Sequence, residues 1–219
     1  RHDLHWNDYR DLHVPRGIGH LVLAVRRSGC GARRFDRLPM IVSLVGLPGS
    51  GKSSVARLLS RHYGWPVQDT DAVLESRIGM SIQTFFSAHG EHAFRELEAE
   101  VLAGCLQDRG PRVLATGGGI VLRPENREHL HRHTLCFYLR STPEELARRL
   151  KNDTQRPLLQ GVDALKKLRE LSQQRDPLYR EAAHYVVEAG RPTVWALVHW
   201  ICMQLELGGH AKAPSKLEA

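Results

Sequence analysis

The sequence predicts an α/β fold, a parallel sheet whose strands are joined by crossover helices, and two observations carry that prediction. From Met40 onward, short apolar runs alternate with helical patterns, and strands that alternate with helices pair in parallel through crossover connections. Within that alternation, Met40-Ile41-Val42-Ser43-Leu44-Val45 runs straight into Gly46-Leu47-Pro48-Gly49-Ser50-Gly51-Lys52-Ser53 and then into the helical spacing Val55, Leu58, Leu59. A strand, a glycine-rich loop and a helix start in that order turn backbone N–H groups inward at a positive helix end. This is a nest for phosphate. Lys52 reaches toward β- and γ-phosphates there, and the Ser53 hydroxyl is placed for Mg2+, which is why G-x-x-x-x-G-K-[ST] needs those residue types at that spacing. A glycine-rich hairpin with an incidental lysine is the plainer alternative, but it requires neither the flanking strand nor the helix.

The elements follow in order. Residues 1–39 show no sustained periodicity, and their one apolar cluster, Leu21-Val22-Leu23-Ala24-Val25, is too short for a secretory segment. Asp3, Asp8, Asp11 and Asp36 argue against an organelle transit peptide. With Met40 standing just before the first core strand, the expectation is that the domain starts there and that 1–39 is a disordered or non-native extension. Ile41–Val45 is the first strand, followed by a helix to about His62 and the short strand Pro66–Asp69. Asp71–Asp108 reads as helical, with Phe85, Phe86, Phe94, Leu97, Val101, Leu102 and Leu106 as candidate core. Arg112–Thr116 is a strand that ends in Gly117-Gly118-Gly119, and Thr134–Leu139 is another. Thr142, Pro143 and Glu145 then set a capping box for a helix to about Leu150. Lys151–Asp163 is polar and aperiodic, a mobile loop, and Ala164–Gln174 is a charged helix. His184–Glu188 reads as the last strand. Val194, Trp195, Leu197, Val198, Ile201, Cys202 and Leu205 give the next helix a face for the sheet, and Gly208-Gly209 stops it. The tail 208–219 is expected to be disordered.

Composition excludes several classes. The 219 residues fit one domain with extensions, and no apolar run approaches the roughly 18 residues of a membrane span. Of the net charge of +7, residues 1–39 carry +4, leaving +3 for the rest. That mild excess suits an anionic nucleotide better than a nucleic-acid surface. Cys30, Cys105, Cys136 and Cys202 have no metal-ligand spacing, so reduced thiols in a cytoplasmic protein are expected. His129, His131 and His133 form a stripe with no Cys or carboxylate at ligand spacing, and read as surface histidines.

The chemistry gathers near the phosphate loop. Asp69 and Asp71 leave the second strand at the carboxyl edge of the sheet, where ligands of open α/β folds bind. One carboxylate near Mg2+ and one able to take a proton from an attacking hydroxyl would fit there, and helix capping would explain one of the two without chemistry. Arg95 and Glu98 stand at i, i+3, which taken alone reads as a solvated helix pair, but beside a glycine triplet lets the carboxylate aim the guanidinium fork at an anion. Three consecutive glycines at a strand end suit close backbone approach to a ligand. Arg149, Arg156 and Arg175 bracket the mobile loop, and arginine suits both stacking on a base and planar pairing with phosphate or carboxylate.

With these residues in hand, the chain from Met40 to about Leu207 resembles shikimate kinase, within the nucleoside-monophosphate-kinase-like P-loop group. The likeness rests on Gly46–Ser53, Asp69-Thr70-Asp71, Phe94-Arg95-x-x-Glu98, Thr116-Gly117-Gly118-Gly119, Arg156-Pro157-Leu158-Leu159 and Arg175-Asp176-Pro177-Leu178-Tyr179, in the family's order. The resemblance implies a three-layer fold with a five-stranded parallel sheet in order 2-3-1-4-5. Within a domain spanning 40–207 it implies a helical substrate-binding segment near 72–100 and a lid near 150–163. It further implies ATP-dependent phosphorylation of the shikimate 3-hydroxyl by a cytoplasmic monomer with one Mg2+ per subunit, acting without nucleic acid or membrane. Arg95 and Arg175 would clamp the carboxylate, and Asp71 with the strip Gly117, Gly118 and Gly119 would hold the hydroxyls. Asp71, Lys52 and Arg156 would form the catalytic set. Gly49, Ser50, Gly51, Lys52, Ser53 and Ser54 would cradle the nucleotide phosphates. Ser53 would bind Mg2+ directly and Asp69 through water, Arg156 would close from the lid, and Arg149 and Arg191 would flank adenine. Two features depart from the family: residues 1–39 have no counterpart, and Arg191 aligns only loosely.

Gluconate kinase and adenylate kinase share the loop, and what separates them is the glycine triplet with Arg95 and Arg175, which suit a small hydroxylated carboxylate rather than a base. A non-catalytic nucleotide-binding module would need a lost catalytic group or a basic patch interleaved with aromatics, and the chain shows neither.

Overall fold

The structure, a computed structural model, describes residues 40–107, 110–150, 164–189 and 193–211. The expectations for residues 1–39, for the loop 151–163 with Arg156, for Arg191 and for the tail from 212 onward lie outside the described residues.

All five residues of β1 (Ile41–Val45) are buried, as a strand with helices on both faces demands. Around it the sheet runs β2 (Val67–Asp69), β3 (Arg112–Ala115), β1, β4 (Leu135–Arg140), β5 (Tyr185–Glu188). Every pairing is parallel. This is the 2-3-1-4-5 order that the resemblance implied. Alternate residues feed two cores. Val42, Leu44, Val113, Phe137 and Leu139 face α1 (Lys52–Tyr63) and α7 (Val194–Leu207). Ile41, Val45, Leu114, Cys136 and Tyr138 face the opposite layer. That layer holds α2 (Thr70–Ile78), α3 (Ile82–Gln107), a 3-10 turn at Ile120–Leu122, α4 (Pro124–His133), α5 (Pro143–Leu150) and α6 (Ala164–Ala182). Because the strands all point one way, the segments after β1, β2 and β3 emerge at a single edge, and the phosphate loop, Asp69–Asp71 and Thr116–Gly119 meet there.

Local chemistry sets the boundaries. The Thr142–Glu145 capping box forms as predicted, with Glu145 N–H donating to Thr142 Oγ1 at 3.3 Å and Thr142 N–H to Glu145 Oε2 at 3.2 Å. Asp69 caps α2, accepting from the Asp71 N–H at 3.0 Å. Gly64 ends α1 in the left-handed conformation, and Thr193 caps α7.

The stretch read as helical is so, as two helices, the second broken at Gly90, where φ is 78° and ψ 177°, but some burial and boundary expectations differ. Phe86 is exposed, although its ring lies 5.6 Å from that of Phe94. Val194 and Trp195 are exposed too, in a first turn of α7 that is exposed throughout, while Leu197, Val198, Ile201, Cys202 and Leu205 form the buried face. The helix read as stopping at Gln174 continues through Pro177 to Ala182. Helix α4 went unread, since only Asn126 and Leu130 of its ten residues are buried and no apolar period shows.

The end of the sheet opposite the site makes stability pH-dependent. His184 donates its backbone N–H to Cys136 O at 2.8 Å, and its ring Nδ1 accepts the Cys136 N–H at 3.1 Å. The ring stacks on His131 with centroids 4.4 Å apart. Burial, with His131 and His210 nearby, brings the His184 pKa down from 6.5 to about 4. A depressed histidine contributes its full stability above the unfolded value and loses it as pH falls toward the folded one, here up to about 3 kcal/mol. The melting temperature should therefore fall between pH 6.5 and 4, and His184→Gln, which keeps an acceptor, should flatten the slope. An unchanged slope in that variant would refute the assignment.

Candidate active site

The phosphate loop is shaped by two glycines with different reasons. Gly46 sits at φ 148°, and a Cβ there would come within 2.6 Å of the Leu139 carbonyl oxygen and 2.9 Å of Ser50 Oγ. Gly51 caps α1 at φ 97° with no side-chain hydrogen bond, so the first N–H groups of the helix remain available to an anion. The loop closes through Ser50 N–H to Leu47 O at 3.2 Å. Ser50 Oγ is buried without a hydrogen-bond partner among the described residues. Lys52 holds its ammonium over the loop, donating to Gly46 O at 2.8 Å and Leu47 O at 3.0 Å. Ser53 is exposed and donates to Asp69 Oδ2 at 3.4 Å, while Ser54 follows, half-buried, in the same turn of α1.

The strip Gly117–Gly119 lies where four elements converge. A Cβ on Gly117 would stand 2.5 Å from Asp71 Oδ1, and one on Gly118 would stand 3.0 Å from Pro48 Cδ of the phosphate loop. One on Gly119 would collide with the Arg95 guanidinium. None of the three glycines has positive φ, so they are needed for space and not for a turn. Their carbonyls are all engaged: Gly117 O accepts from Ile120 N–H, Gly119 O from Leu122 N–H, and Gly118 O from Arg175 Nη1 at 3.0 Å and Tyr179 Oη at 2.5 Å. The Gly117 N–H donates to Thr70 Oγ1 at 3.0 Å. The next two N–H groups, of Gly118 and Gly119, make no hydrogen bond among the described residues. The strip thus presents donors only, which fits a ligand rich in oxygen.

Two guanidinium groups flank it. Arg95 Nη1 donates to Glu98 Oε2 at 2.7 Å, Glu91 lies 3.4 Å from Nη2, and the cation sits 5.0 Å from the Phe94 ring centroid. Glu98 is 3% exposed. Burial raises its carboxyl above the ordinary range, the charge on Asp71 pushes the same way, and Arg95 and Arg175 pull it back. The helix pair read from spacing is therefore a buried one that aims Arg95 at the glycine strip. Arg175 Nε is buried with no hydrogen-bond partner among the described residues, which leaves a donor for an incoming anion. Residue by residue, Asp71, Arg95 and Arg175 are brought together with the strip. On the nucleotide side Arg149 is exposed and donates to Ala189 O at 2.7 Å and to Gly49 O at 3.4 Å, spanning the ends of β5 and the loop.

Sequence reasoning missed Thr70 and Tyr179. Both lie inside motifs already singled out, and the usable signal for Tyr179 is its i+4 spacing from Arg175. Among the described residues no group of three or more His, Cys, Asp or Glu is placed to hold a metal ion, and His129, His131 and His133 are exposed, as expected.

Comparison with known proteins places these features. The Shikimate kinase family matches residues 48–205. A shikimate kinase of Paracidovorax citrulli is 52% identical over 170 residues, 77% of this chain and 93% of that protein. One from Thiobacillus denitrificans is 48% identical over 164 residues, 75% of this chain and 89% of that protein. Among solved structures, the shikimate kinase of Acinetobacter baumannii in complex with shikimate is similar at TM-score 0.73 and 38% identity, covering 81% of this chain and 98% of that one. The Bacteroides thetaiotaomicron shikimate kinase follows at TM-score 0.71 and 28% identity, covering 76% and 98%.

The two loop glycines separate in a stability experiment. Gly46→Ala combines a strained φ with a backbone collision and should destabilise by about 3 kcal/mol or more. Gly51→Ala meets open space and should cost about 1–2 kcal/mol for the left-handed conformation alone. Equal losses in urea denaturation would contradict the collision at Gly46.

Proposed function

The chain belongs to the shikimate kinase family, and from that premise we propose how its residues divide the transfer of the ATP γ-phosphoryl group to the shikimate 3-hydroxyl, the reaction that gives 3-phosphoshikimate and ADP in the route to aromatic amino acids. The observation that carries the division of roles is the contact of Pro48 with Gly118, which sets the phosphate loop beside the strip where Asp71, Arg95 and Arg175 converge. Donor and acceptor then meet edge to edge.

Arg95, aimed by Glu98, and Arg175, through its unpartnered Nε, bind the shikimate carboxylate in planar geometry. The N–H groups of Gly118 and Gly119 bind hydroxyl oxygens. Asp71, held against Gly117, orients the 3-hydroxyl and accepts its proton as that oxygen bonds to the γ-phosphorus, while the bond to the β-phosphate oxygen breaks and releases ADP. Gly49, Ser50, Gly51, Lys52, Ser53 and Ser54 hold the phosphates. Lys52 supplies charge along the transfer path, since phosphoryl transfer is chiefly positioning and charge stabilisation. Ser53 and Asp69 offer hard oxygens 3.4 Å apart, a pair suited to an ion that takes one or two protein ligands with phosphates and waters. Mg2+ held there, with Asp69 acting through water, would neutralise phosphate charge. Arg149 and Arg191 are assigned to the adenine side and Arg156 to closure over the phosphates. A monomer as the working unit is assigned on the family resemblance alone. Among the described residues no helix is long and apolar enough to cross a membrane, which is compatible with the cytoplasmic placement we propose.

Gluconate and AMP are the competing acceptors, and a coupled ADP-release assay against all three decides between them. Turnover should require shikimate. Arg95→Ala should weaken shikimate binding by about 2–5 kcal/mol, because the desolvated shikimate carboxylate loses one of its two cationic partners, with little change for ATP. Asp71→Asn should lower kcat by roughly 10²–10⁴-fold with KM for shikimate less affected. An Arg95→Ala variant that lost ATP binding and kept shikimate binding would overturn the carboxylate assignment.

A further inference from the structure

We propose that Tyr179 is a positioning residue that fixes the Gly118–Gly119 peptide and thereby sets the substrate-facing Gly119 N–H of the glycine strip, a role that rests on assigning that strip to shikimate hydroxyls. Gly118 O accepts from two side chains of α6, Arg175 Nη1 at 3.0 Å and Tyr179 Oη at 2.5 Å. A carbonyl and the following N–H share one rigid plane, so donors on Gly118 O fix where the Gly119 N–H points and polarise it as a donor. Arg175 has a second task at the substrate anion. Tyr179 has no such task. It is wholly buried, and its ring stacks on Tyr138 with centroids 4.8 Å apart. Burial pushes its phenol far above the ordinary range, so the hydroxyl stays a neutral donor at every working pH.

The anchor beneath it is built to match. Asp176 accepts from Tyr138 Oη at 2.9 Å, Arg140 Nε at 3.1 Å and Arg180 Nε at 2.6 Å. Burial works against its charge, but the bonds from Arg180 and Tyr138 outweigh that and hold the carboxyl below its ordinary range. Arg140 also pairs with Glu188 at 2.7 Å, so this turn of α6 is tied to both β4 and β5. The Tyr179 hydroxyl is thus held against the strip by the sheet itself, independently of the substrate.

Tyr179→Phe tests this. Gly118 O keeps Arg175 and the ring keeps its stack, so the fold should survive, with the melting temperature within a few degrees. Losing one hydrogen bond's net effect should raise KM for shikimate about three- to tenfold, with KM for ATP unchanged within about twofold. The decisive readout is binding of shikimate against analogues lacking the 4- or the 5-hydroxyl. Wild-type protein should prefer shikimate over at least one analogue, and Tyr179→Phe should lose most of that preference. Wild-type protein without the preference would overturn the strip assignment and the inference with it. Wild-type preference fully retained in Tyr179→Phe would overturn the inference alone. Should the Phe variant fail to fold, 3-fluorotyrosine at position 179 keeps shape and hydroxyl while making it a stronger donor, and a shift of the Gly119 amide resonance is expected. An unmoved resonance would refute the coupling.

Discussion

The site depends on three residues having no side chains. Around Gly117–Gly119, the Asp71 carboxylate, the Pro48 ring and the Arg95 guanidinium occupy the space that Cβ atoms would fill. None of the three has a positive φ; what excludes side chains is the approach of β1's loop, α2 and α3 to the end of β3. A parallel sheet brings those segments to one edge, but it does not bring them into contact. Contact comes from deleting the side chains between them, which lets the phosphate loop and the acceptor site share a wall.

That closeness creates an electrostatic problem, because two guanidinium groups and two carboxylates sit in a partly dry space. A buried, unpaired carboxylate would shed its charge, and burial does push Glu98 in that direction. Arg95 offsets this, and in doing so the fork becomes fixed: Nη1 on Glu98, the face over Phe94, Nη2 toward Glu91. The arrangement is organised before any ligand arrives. An incoming carboxylate then meets cations whose orientation has already been set, so less ordering is left to be done on binding.

Much of this was legible in the residues, and what was legible had a local cause. The phosphate loop reads directly because Gly46, Gly51 and Lys52 are each required by backbone geometry or charge within eight positions. The capping box at Thr142 reads for the same reason. The strand order follows from the family likeness. Asp69 illustrates the limit: spacing allowed either a cap or a metal ligand, and the structure shows one oxygen capping α2 and the other 3.4 Å from Ser53 Oγ, so the two roles are not exclusive. Helix α4 was not legible, because a surface helix that buries only Asn126 and Leu130 leaves no apolar period. Phe86 was misplaced because periodicity records which residues are apolar and not where the helix breaks, and Gly90 resets the face four residues later.

The least legible feature is the one nearest the chemistry. Pro177 lacks an N–H and crowds the preceding turn, which is sufficient local reason to end a helix at Gln174. Yet α6 continues, and the cause is long-range: Asp176 is gripped from β4 by Tyr138 and Arg140 and along the helix by Arg180. Tertiary contacts override local preference at this turn, and the two residues flanking it, Arg175 and Tyr179, are those that reach Gly118. Sequences usually break a local rule where a site requires a geometry that propensity would not supply. A proline turn inside a helix, held to the sheet by one carboxylate, projects a cation and a phenol onto the same carbonyl oxygen, and it is this conflict, resolved by Asp176, that joins the last helix of the substrate layer to the glycine strip.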